Sequence, residues 1–500
     1  MLEQLLNNDF LISVLAFALI LIPAIIIHEL GHFLAAKWIG INVLEFGLGF
    51  PPRMVRLFRW GETDFTLNWL PIGAFVRPFG EDIVSGEDDP YEDDYDDEYE
   101  GDKAKHSPYI TEREELIARG IPEDELMSVN DAKPIPRIIF MAAGATFNVI
   151  SAILIFMVAA FLGYPVEIGA RVQLAEIPEQ SVFNQSAVST GDAIERINGE
   201  LFPTSEAFFD EFTALSGQNV TLDMRRLEDD TPYSIDVTPT ASSVRGFVLI
   251  TVVMEDEPGH IAGLEAGDRV VGVDGETISA VDPVGDLIRQ TNASAGEALT
   301  LNIERPLDES KGFTTLDIQV TPREINPDEG RIGIGILSQF RTDDSVVYQD
   351  ANPQIEYVPQ SAGFSVQYGF ARTWETLQLI ASVPSRIIDG TLTPEESRPV
   401  SVVGISQIGG EFLKGSIRNG TPFLVLEFFA LISIFLGITN LLPIPALDGG
   451  RIVFVIVEII RGERVPPRIE NVVHQVAIII LILLSIVLIF FDIINPIQLP

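Results

Sequence analysis

Four long apolar segments constrain the fold of this 500-residue chain more than any other feature of its sequence. A helix needs about 20 predominantly apolar residues to cross the hydrocarbon core of a bilayer. Four segments are long enough and nearly free of charge: residues 11–36, 138–166, 428–447 and 475–491. They predict a polytopic α-helical membrane protein with about four transmembrane helices, and they exclude a simple soluble protein.

The first segment also has to be weighed as a secretory signal peptide. The residues before it, MLEQLLNND, contain no Lys or Arg, and no small-residue cleavage site follows the apolar run. Signal peptides need both features. We therefore expect a retained membrane helix within residues 1–39, followed by a second helix at 138–166, a third at 421–450 and a fourth within 451–500.

Basic residues beside the segments predict the orientation of the chain in the membrane, because Lys and Arg are kept on the cytoplasmic side. They cluster between segments one and two and between segments three and four, with Lys414 and Arg418 as mild exceptions. The clustered residues are Lys37, Arg53, Arg56, Arg59, Lys133, Arg137, Arg451, Arg461, Arg464 and Arg468. We expect residues 40–137 and 443–470 to face the cytosol, and the block from about 167 to 420 to lie outside.

The charge balance limits the partners and the metal ligands. Lys and Arg number 32 against 72 Asp and Glu, a formal net charge of −40, and such a chain would repel nucleic acid. With no cysteine, any metal must be held by His, Asp or Glu. Residues 81–102 alone hold 13 acidic residues and no Lys or Arg. Self-repulsion predicts a solvated, disordered insert there, and a cation-binding or docking role is the alternative.

The block between segments two and three contains an internal repeat with an offset of 76 residues. Gly191-Asp192 aligns with Gly267-Asp268, and Asn198-Gly199 aligns with Asp274-Gly275. In each copy a G-D turn precedes an alternating strand, and an N-G or D-G pair then predicts a tight hairpin. Residues 167–243 and 244–324 resemble PDZ domains, small β-rich domains that accept a peptide segment as an added strand. Residues 325–420 are expected to form an external linker and an amphipathic segment.

The first apolar segment contains the sequence His28-Glu29-Leu-Gly-His32. Residues four apart lie on one face of a helix, so both imidazoles can point at one divalent ion. Glu29 is rotated by roughly 100° from His28, which suits a general base better than a ligand. The alternatives are a chance pattern, or two core histidines whose hydrogen bonds neighbouring helices satisfy.

A third ligand is expected elsewhere in the membrane, because zinc in catalytic sites usually has three protein ligands and one open position. The third apolar segment ends in NLLPIPALDGG, from Asn440 to Gly450. Pro443 and Pro445 cannot continue an ordinary helix, so the chain should break within or just beneath the membrane. Irregular backbone at that depth is tolerated where it lines a cavity. Asp448 is therefore the best candidate, although a polar helix terminus is the alternative.

Taken together, HELGH and NLLPIPALDGG resemble the site-2 protease family of intramembrane zinc metalloproteases, across nearly the whole chain. Residues 46–50, FGLGF, resemble its membrane-reentrant segment, and residues 144–148, GATFN, its second-span motif, although Ala145 stands where the family usually has Pro. The tandem PDZ arrangement resembles the bacterial regulator-of-sigma-E protease subgroup. The resemblance implies Zn²⁺ on His28, His32 and Asp448, with Glu29 as the base and Asn440 near the substrate.

The resemblance also implies a setting and a substrate class. It places the chain in the bacterial cytoplasmic (inner) membrane as a multi-pass protein, with the active site toward the cytosolic side. Its substrates would be single-span membrane proteins of the lipid bilayer, such as anti-sigma factors. Residues 64–79 predict a short hairpin near the membrane face, and Trp69 and Gly73 are candidates for binding an unwound substrate by strand addition.

Two other functions have to be compared with proteolysis. One is a membrane-anchored PDZ scaffold with a structural metal site and no protease activity, and the other is a metal transporter. The full set of His28, Glu29, His32 and Asp448 favours the enzyme, and a transporter would need a second buried site along a path. His106, His260 and His474 lack partners at metal spacing and are predicted to be ordinary residues.

Overall fold

The computed structural model describes residues 8–80, 108–185, 187–226, 231–307, 312–326, 329–388 and 398–495. The acidic segment 81–102 and His106 lie outside the described residues. The chain divides into two compact units. We call Met1–Tyr164 with Tyr357–Pro500 the helical unit, and Pro165–Glu356 the sheet unit.

Eleven α-helices occur in the described ranges. They are α1 (Asp9–Ile39), α2 (Pro108–Ala118), α3 (Pro134–Gly163), α4 (Ser205–Ala214), α5 (Pro258–Ala262), α6 (Pro283–Ala293), α7 (Ala362–Ile388), α8 (Val402–Arg418), α9 (Phe423–Asn440), α10 (Asp448–Arg461) and α11 (Pro467–Ile494).

The same ranges contain sixteen strands. They are β1 (Val43–Trp60), β2 (Thr63–Pro78), β3 (Tyr164–Glu176), β4 (Ala193–Ile197), β5 (Glu200–Leu201), β6 (Val220–Arg226), β7 (Thr231–Val237), β8 (Val244–Val253), β9 (Arg269–Val273), β10 (Glu276–Thr277), β11 (Leu299–Pro306), β12 (Phe313–Val320), β13 (Arg323–Asn326), β14 (Glu329–Arg331), β15 (Ile334–Thr342) and β16 (Val347–Val358).

Four helices of the helical unit are long and apolar enough to cross a membrane: α1, α3, α9 and residues 472–494 of α11. The four predicted spans are confirmed as apolar helices, with shifted ends. Helix α1 begins after Asn8, whose side chain accepts a hydrogen bond from the amide of Leu11, and it ends at Ile39, followed by the capping residue Gly40 with φ of 95°. A left-handed C-terminal residue of this kind favours glycine. Helix α3 packs against α1, α7, α9 and α10 and so forms the centre of the unit.

The third span differs from its predicted bounds. Helix α9 begins at Phe423 and ends at Asn440, and Asp448 is the first residue of the separate helix α10. The predicted third span, residues 421–450, therefore covers α9, the turn after it and the start of α10. The prediction of a chain break at Pro443 and Pro445 is right, because both prolines lie in the turn between the two helices.

The hairpin also differs from the prediction. Residues 64–79 do not pair with themselves as a short hairpin; strand β2 pairs with β1 in a long two-stranded sheet. The FGLGF segment of β1 has partners in both halves of β2, so that Gly47 lies opposite both Thr66 and Phe75. A Cβ atom on Gly47 would meet the ring of Phe75, so any larger residue at this crowded position would force that ring to move.

The sheet unit contains a continuous twelve-stranded sheet in the order β12-β11-β9-β8-β15-β16-β3-β4-β6-β7, with β10 on β9 and β5 on β4, and a separate two-stranded sheet of β13 and β14. Two hydrophobic cores lie along it. The first surrounds α4 and includes Val172, Phe208 and Leu222, and the second includes Val270 and Leu287 of α6. The unit therefore consists of two modules: module 1, with β3–β7, α4 and β16 around the first core, and module 2, with β8–β12, α5, α6 and β15 around the second.

Equivalent turns in the two modules have nearly equal geometry. Gly191 and Gly267 have φ of 99° and 97°, and Asn198 and Asp274 have φ of 51° and 49°. The aspartates Asp192 and Asp268 accept a backbone N–H three residues upstream, each at 2.9 Å. The internal repeat is thus a repeat of structure, which supports duplication of one module.

Module boundaries differ from those predicted. The sequence predicts an external linker and an amphipathic segment over residues 325–420. The structure instead has strands β15 and β16 at residues 334–342 and 347–358. Phe340, Val346 and Tyr348 belong to the core of module 1, although Phe340 lies on β15 of module 2 and the other two follow that strand in sequence. Module 1 therefore needs a strand from beyond module 2, and residues 167–243 are not a complete domain.

This nesting yields a prediction about fragments. Residues 165–356 expressed alone are expected to fold, whereas residues 165–243 are not, because the second fragment lacks β16 and the buried Tyr348 ring. Tyr348 contacts the rings of Phe183, Phe208, Phe209 and Phe212. Tyr348→Ala should lower the free energy of unfolding of the longer fragment by about 3–5 kcal/mol, the usual cost of removing a large buried ring.

Urea denaturation followed by circular dichroism measures this change. Ile355→Ala is the matched control, because Ile355 lies on the same strand and is 49% exposed. A cooperative unfolding transition in the shorter fragment would contradict the nesting of the modules.

Candidate metal centre

The candidate metal centre is formed by two histidines of α1 and the first residue of α10. His28 Nε2 lies 3.1 Å from His32 Nε2 and 3.1 Å from Asp448 Oδ2, and His32 Nε2 lies 3.3 Å from Asp448 Oδ2. Both imidazoles are buried, with exposures of 6% and 7%. Possible ligand atoms of these three residues all lie within 4.8 Å of one another. The structure therefore brings together the three residues that the sequence motifs selected.

These distances fit a tetrahedral metal ion. Ligand atoms about 2 Å from a zinc ion lie about 3.3 Å apart when the geometry is tetrahedral. The three observed separations match that spacing, and three protein ligands leave a fourth position open. Two nitrogen donors and one carboxylate oxygen are also a common donor set for catalytic zinc. The residues present thus fit a zinc ion.

Small residues allow α1 and α3 to approach closely at this centre. A Cβ atom on Gly31 of α1 would lie 2.5 Å from the carbonyl oxygen of Ala143. A Cβ atom on Gly144 of α3 would lie 2.5 Å from His32 Nε2 and 2.6 Å from His28 Nε2. Real side chains do not approach this closely, so both glycines are required by the packing of the two helices against the imidazoles.

Glu29 lies beside the centre and shares its cavity. The cavity has a volume of about 340 Å³, and its lining includes His28, Glu29, Val76, Asn440 and Asp448. Glu29 Oε2 accepts a hydrogen bond of 3.0 Å from the backbone N–H of Val76 in strand β2. Its carboxylate therefore faces the same space as the candidate ligands without belonging to their cluster, as the helical rotation predicts.

The three candidate substrate-binding residues have different positions. Asn440 is the last residue of α9 and lines the cavity. Trp69 is 63% exposed and does not line this cavity. Gly73 has φ of 81° and lies near Phe50, since a Cβ atom there would be 3.1 Å from that ring. The part of the hairpin that reaches the cavity is instead Phe75 and Val76.

The hairpin is held by buried ion pairs at its base. Asp64 is 2% exposed and accepts hydrogen bonds from Arg59 at 2.6 and 3.1 Å. These bonds keep the pKa of the Asp64 carboxyl below its usual value. Arg53 pairs with the buried Glu45 at 2.8 Å. The Arg59–Asp64 pair connects β1 to β2, the strand that reaches Glu29, whereas the Arg53–Glu45 pair joins two parts of β1.

Two contacts at the candidate site were not expected from the sequence. His32 Nδ1 lies 2.9 Å from the carbonyl oxygen of Phe140, which can accept its N–H and orient the ring. His474, which was predicted to be ordinary, lines the cavity, and its Nδ1 lies 2.7 Å from the carbonyl oxygen of Pro445. No spacing rule connects His474 to a proline 29 residues away. His260 in α5 is exposed, as expected of an ordinary residue.

Comparison with known proteins agrees with this geometry. The profile described as Peptidase family M50 matches residues 16–484. Protease RseP of Yersinia pestis is 26% identical, with 96% of this chain and 98% of the relative aligned. Regulator of sigma-E protease RseP of Escherichia coli (strain K12) is 25% identical, over 97% and 99% of the two chains. A relative from Neisseria meningitidis whose name contains the words zinc metalloprotease is 26% identical, over 96% and 98%.

The profile covers most of the chain, and the chain therefore belongs to peptidase family M50. It is an intramembrane metalloprotease of the site-2 type. The family match supports proteolysis, and none of these relatives favours a scaffold without protease activity.

Close packing at Gly144 yields a prediction. Gly144→Ala should displace the imidazoles of His28 and His32, because the added methyl group would overlap both rings. Overpacking of this kind typically costs about 1–3 kcal/mol. We expect purified protein to retain clearly less zinc than the wild type after dialysis against a weak chelator, measured by atomic emission. Gly363→Ala is the matched control, since nothing lies within 4 Å of a Cβ atom there. Equal zinc content in both variants would contradict the packing argument.

Proposed function

We propose that this protein binds zinc through His28, His32 and Asp448 and hydrolyses peptide bonds within or near transmembrane segments of single-span membrane proteins. One observation carries the proposal. Two imidazoles on an apolar helix meet a carboxylate from a distant helix, and Glu29 faces the same cavity. Ligating side chains in a membrane helix are costly and mark functional sites.

The proposed ligands and the base have separate tasks. His28, His32 and Asp448 would hold the ion, and their three donor atoms would leave one position for water or substrate. Bound zinc supplies Lewis acidity, which polarises a peptide carbonyl and makes water a better nucleophile near neutral pH. Glu29 accepts the proton of the attacking water and can return it to the leaving amine. The hydrogen bond from Val76 holds the Glu29 carboxylate in place for both transfers.

Strand β2 offers a surface for the unwound substrate. A transmembrane helix protects its own carbonyls, so a segment must become extended before cleavage. Residues 74–77 of β2 pair with β1 on one side, and Val76 reaches Glu29. An extended substrate added beside Phe75 and Val76 would lie next to the base, with Gly73 and Trp69 farther along the strand. The Asn440 side chain is placed to hydrogen-bond the substrate backbone in the cavity.

Basic residues support an orientation in the bacterial inner membrane. HELGH lies near the end of α1 that carries Lys37 and leads into residues 40–137, which contain Arg53 and Arg137. Since Lys and Arg are retained in the cytosol, we place the active site toward the cytosolic side and the sheet unit outside.

The two modules are proposed to be PDZ domains that bind peptide segments. In module 2, strand β15 pairs with β8 along residues 334–342, while β16 pairs with β15 at residues 339–341. Leu287 of α6 packs in the same core as Ile332, so residues 334–338 and α6 would flank an added strand. Several relatives are named regulator of sigma-E protease, and we propose anti-sigma factors as a substrate class.

Replacing the base tests the proposed mechanism. Glu29→Gln should lower the rate of cleavage of a detergent-solubilised single-span substrate by at least about 10²-fold, because an amide cannot accept the proton. Zinc content should stay at the wild-type level. Glu125→Gln in the loop before α3 is the control, because that side chain is exposed. Cleavage by Glu29→Gln at the wild-type rate would disprove the mechanism, and loss of zinc would make Glu29 a ligand.

Removing the sheet unit tests its role in substrate selection. Residues 165–356 can be replaced by a short Gly/Ser linker, because a Cβ atom on Gly163 would lie 3.5 Å from Cβ of Tyr357. We expect the deletion to keep cleavage of substrates with short external segments and to gain cleavage of substrates with folded external domains. A folded deletion variant that discriminates as the wild type does would show that selection resides in the helical unit.

A further inference from the structure

Asn148 of α3, the last residue of the GATFN motif, is buried beside the candidate ligand His28. Its side chain is fully buried, and its amide nitrogen Nδ2 lies 3.4 Å from Nδ1 of His28. Among the described residues its oxygen Oδ1 has no hydrogen-bond partner. A buried amide oxygen without a partner costs free energy, so a function for it is expected.

The position of the proton on the His28 ring gives a reason for the unpartnered oxygen of Asn148. Nε2 of His28 faces Asp448 and His32, so a metal ion at this centre takes the lone pair of Nε2. The neutral ring must then carry its proton on Nδ1. His32 meets the same requirement through the carbonyl oxygen of Phe140. The Nδ1–H group of His28 needs an acceptor as well, and Asn148 is the side chain that Nδ1 contacts.

We propose that Asn148 is a positioning residue whose amide oxygen accepts the Nδ1–H of His28 and thereby holds this ligand in its metal-binding tautomer and orientation. The two ends of an amide group have nearly the same shape. A 180° rotation of the amide exchanges Nδ2 for the free Oδ1 at the His28 contact. The inference rests on the proposed metal site, and it adds an outer support to one ligand.

The backbone around Asn148 is itself firmly held. Its carbonyl oxygen accepts hydrogen bonds from Ser151 Oγ at 2.8 Å and from Ser433 Oγ of α9 at 3.1 Å. A Cβ atom on Gly437 of α9 would lie 3.3 Å from Cβ of Asn148, so the two helices pack closely here. Partners that orient a ligating histidine act through such rigid placement. Asn148 therefore connects His28 of α1 to the helix that precedes Asp448.

Three variants of the full-length protein in detergent test the proposal. Asn148→Leu keeps the volume and removes the acceptor, Asn148→Asp keeps an acceptor oxygen, and Thr146→Ala changes an exposed polar residue of the same helix. Zinc affinity is measured by competition with a chromogenic chelator, and ligand geometry by the visible absorption of the Co²⁺ form. Thermal unfolding checks that each variant is folded.

We expect Asn148→Leu to lower zinc affinity by about 10–100-fold, the usual effect of losing such a partner, and to change the Co²⁺ spectrum. Asn148→Asp should stay within a few-fold of the wild type, and Thr146→Ala should be unchanged. Wild-type affinity and spectrum in Asn148→Leu, or equal losses in the Leu and Asp variants, would overturn the proposal. His28→Ala separates failure of the Asn148 proposal from failure of the proposed metal site. Zinc binding at wild-type affinity in that variant would overturn the metal site itself.

Discussion

The convergence of two imidazoles and one carboxylate within the apolar helical unit is the interaction on which the rest of the structure depends. His28 and Asp448 are 420 residues apart in sequence, yet their side chains lie 3.1 Å apart. Polar groups in a membrane must find partners, because lipid offers none. Helices α1, α3, α9 and α10 therefore have to meet at one place, and the glycines at their contacts make this approach possible.

The same convergence explains why the backbone breaks where it does. Helix α9 ends at Asn440, and a turn containing two prolines leads to Asp448 at the start of α10. A continuous helix would carry the carboxylate past the imidazoles, whereas the turn places it beside them. The contact between His474 and the carbonyl oxygen of Pro445 connects this turn to α11. Loop geometry at the site is thus supported by a helix that contributes no candidate ligand.

Much of the site could be predicted from the sequence because its residues follow local rules. Helical spacing placed His28 and His32 on one face of a helix, and the predicted chain break at the two prolines made Asp448 the candidate third ligand. The role proposed for Asn148 and the contacts of Phe140 and Val76 could not be predicted in this way, since they depend on contacts between elements far apart in the chain. The predicted boundary of module 1 was wrong for the same reason. Strand β16, which follows module 2 in the sequence, completes the core of module 1. The hairpin partner of β2 likewise depends on tertiary pairing.

X-ray absorption at the zinc K-edge of the purified full-length protein tests the central claim most directly. The account predicts one zinc per chain with two imidazole ligands and light-atom donors at about 2.0–2.2 Å. The chain has no cysteine, so no thiolate sulfur shell near 2.3 Å is expected. Asp448→Ala should lose an oxygen donor and His28→Ala an imidazole. Absence of stoichiometric zinc, or a zinc shell unchanged in both variants, would contradict a metal centre built from His28, His32 and Asp448.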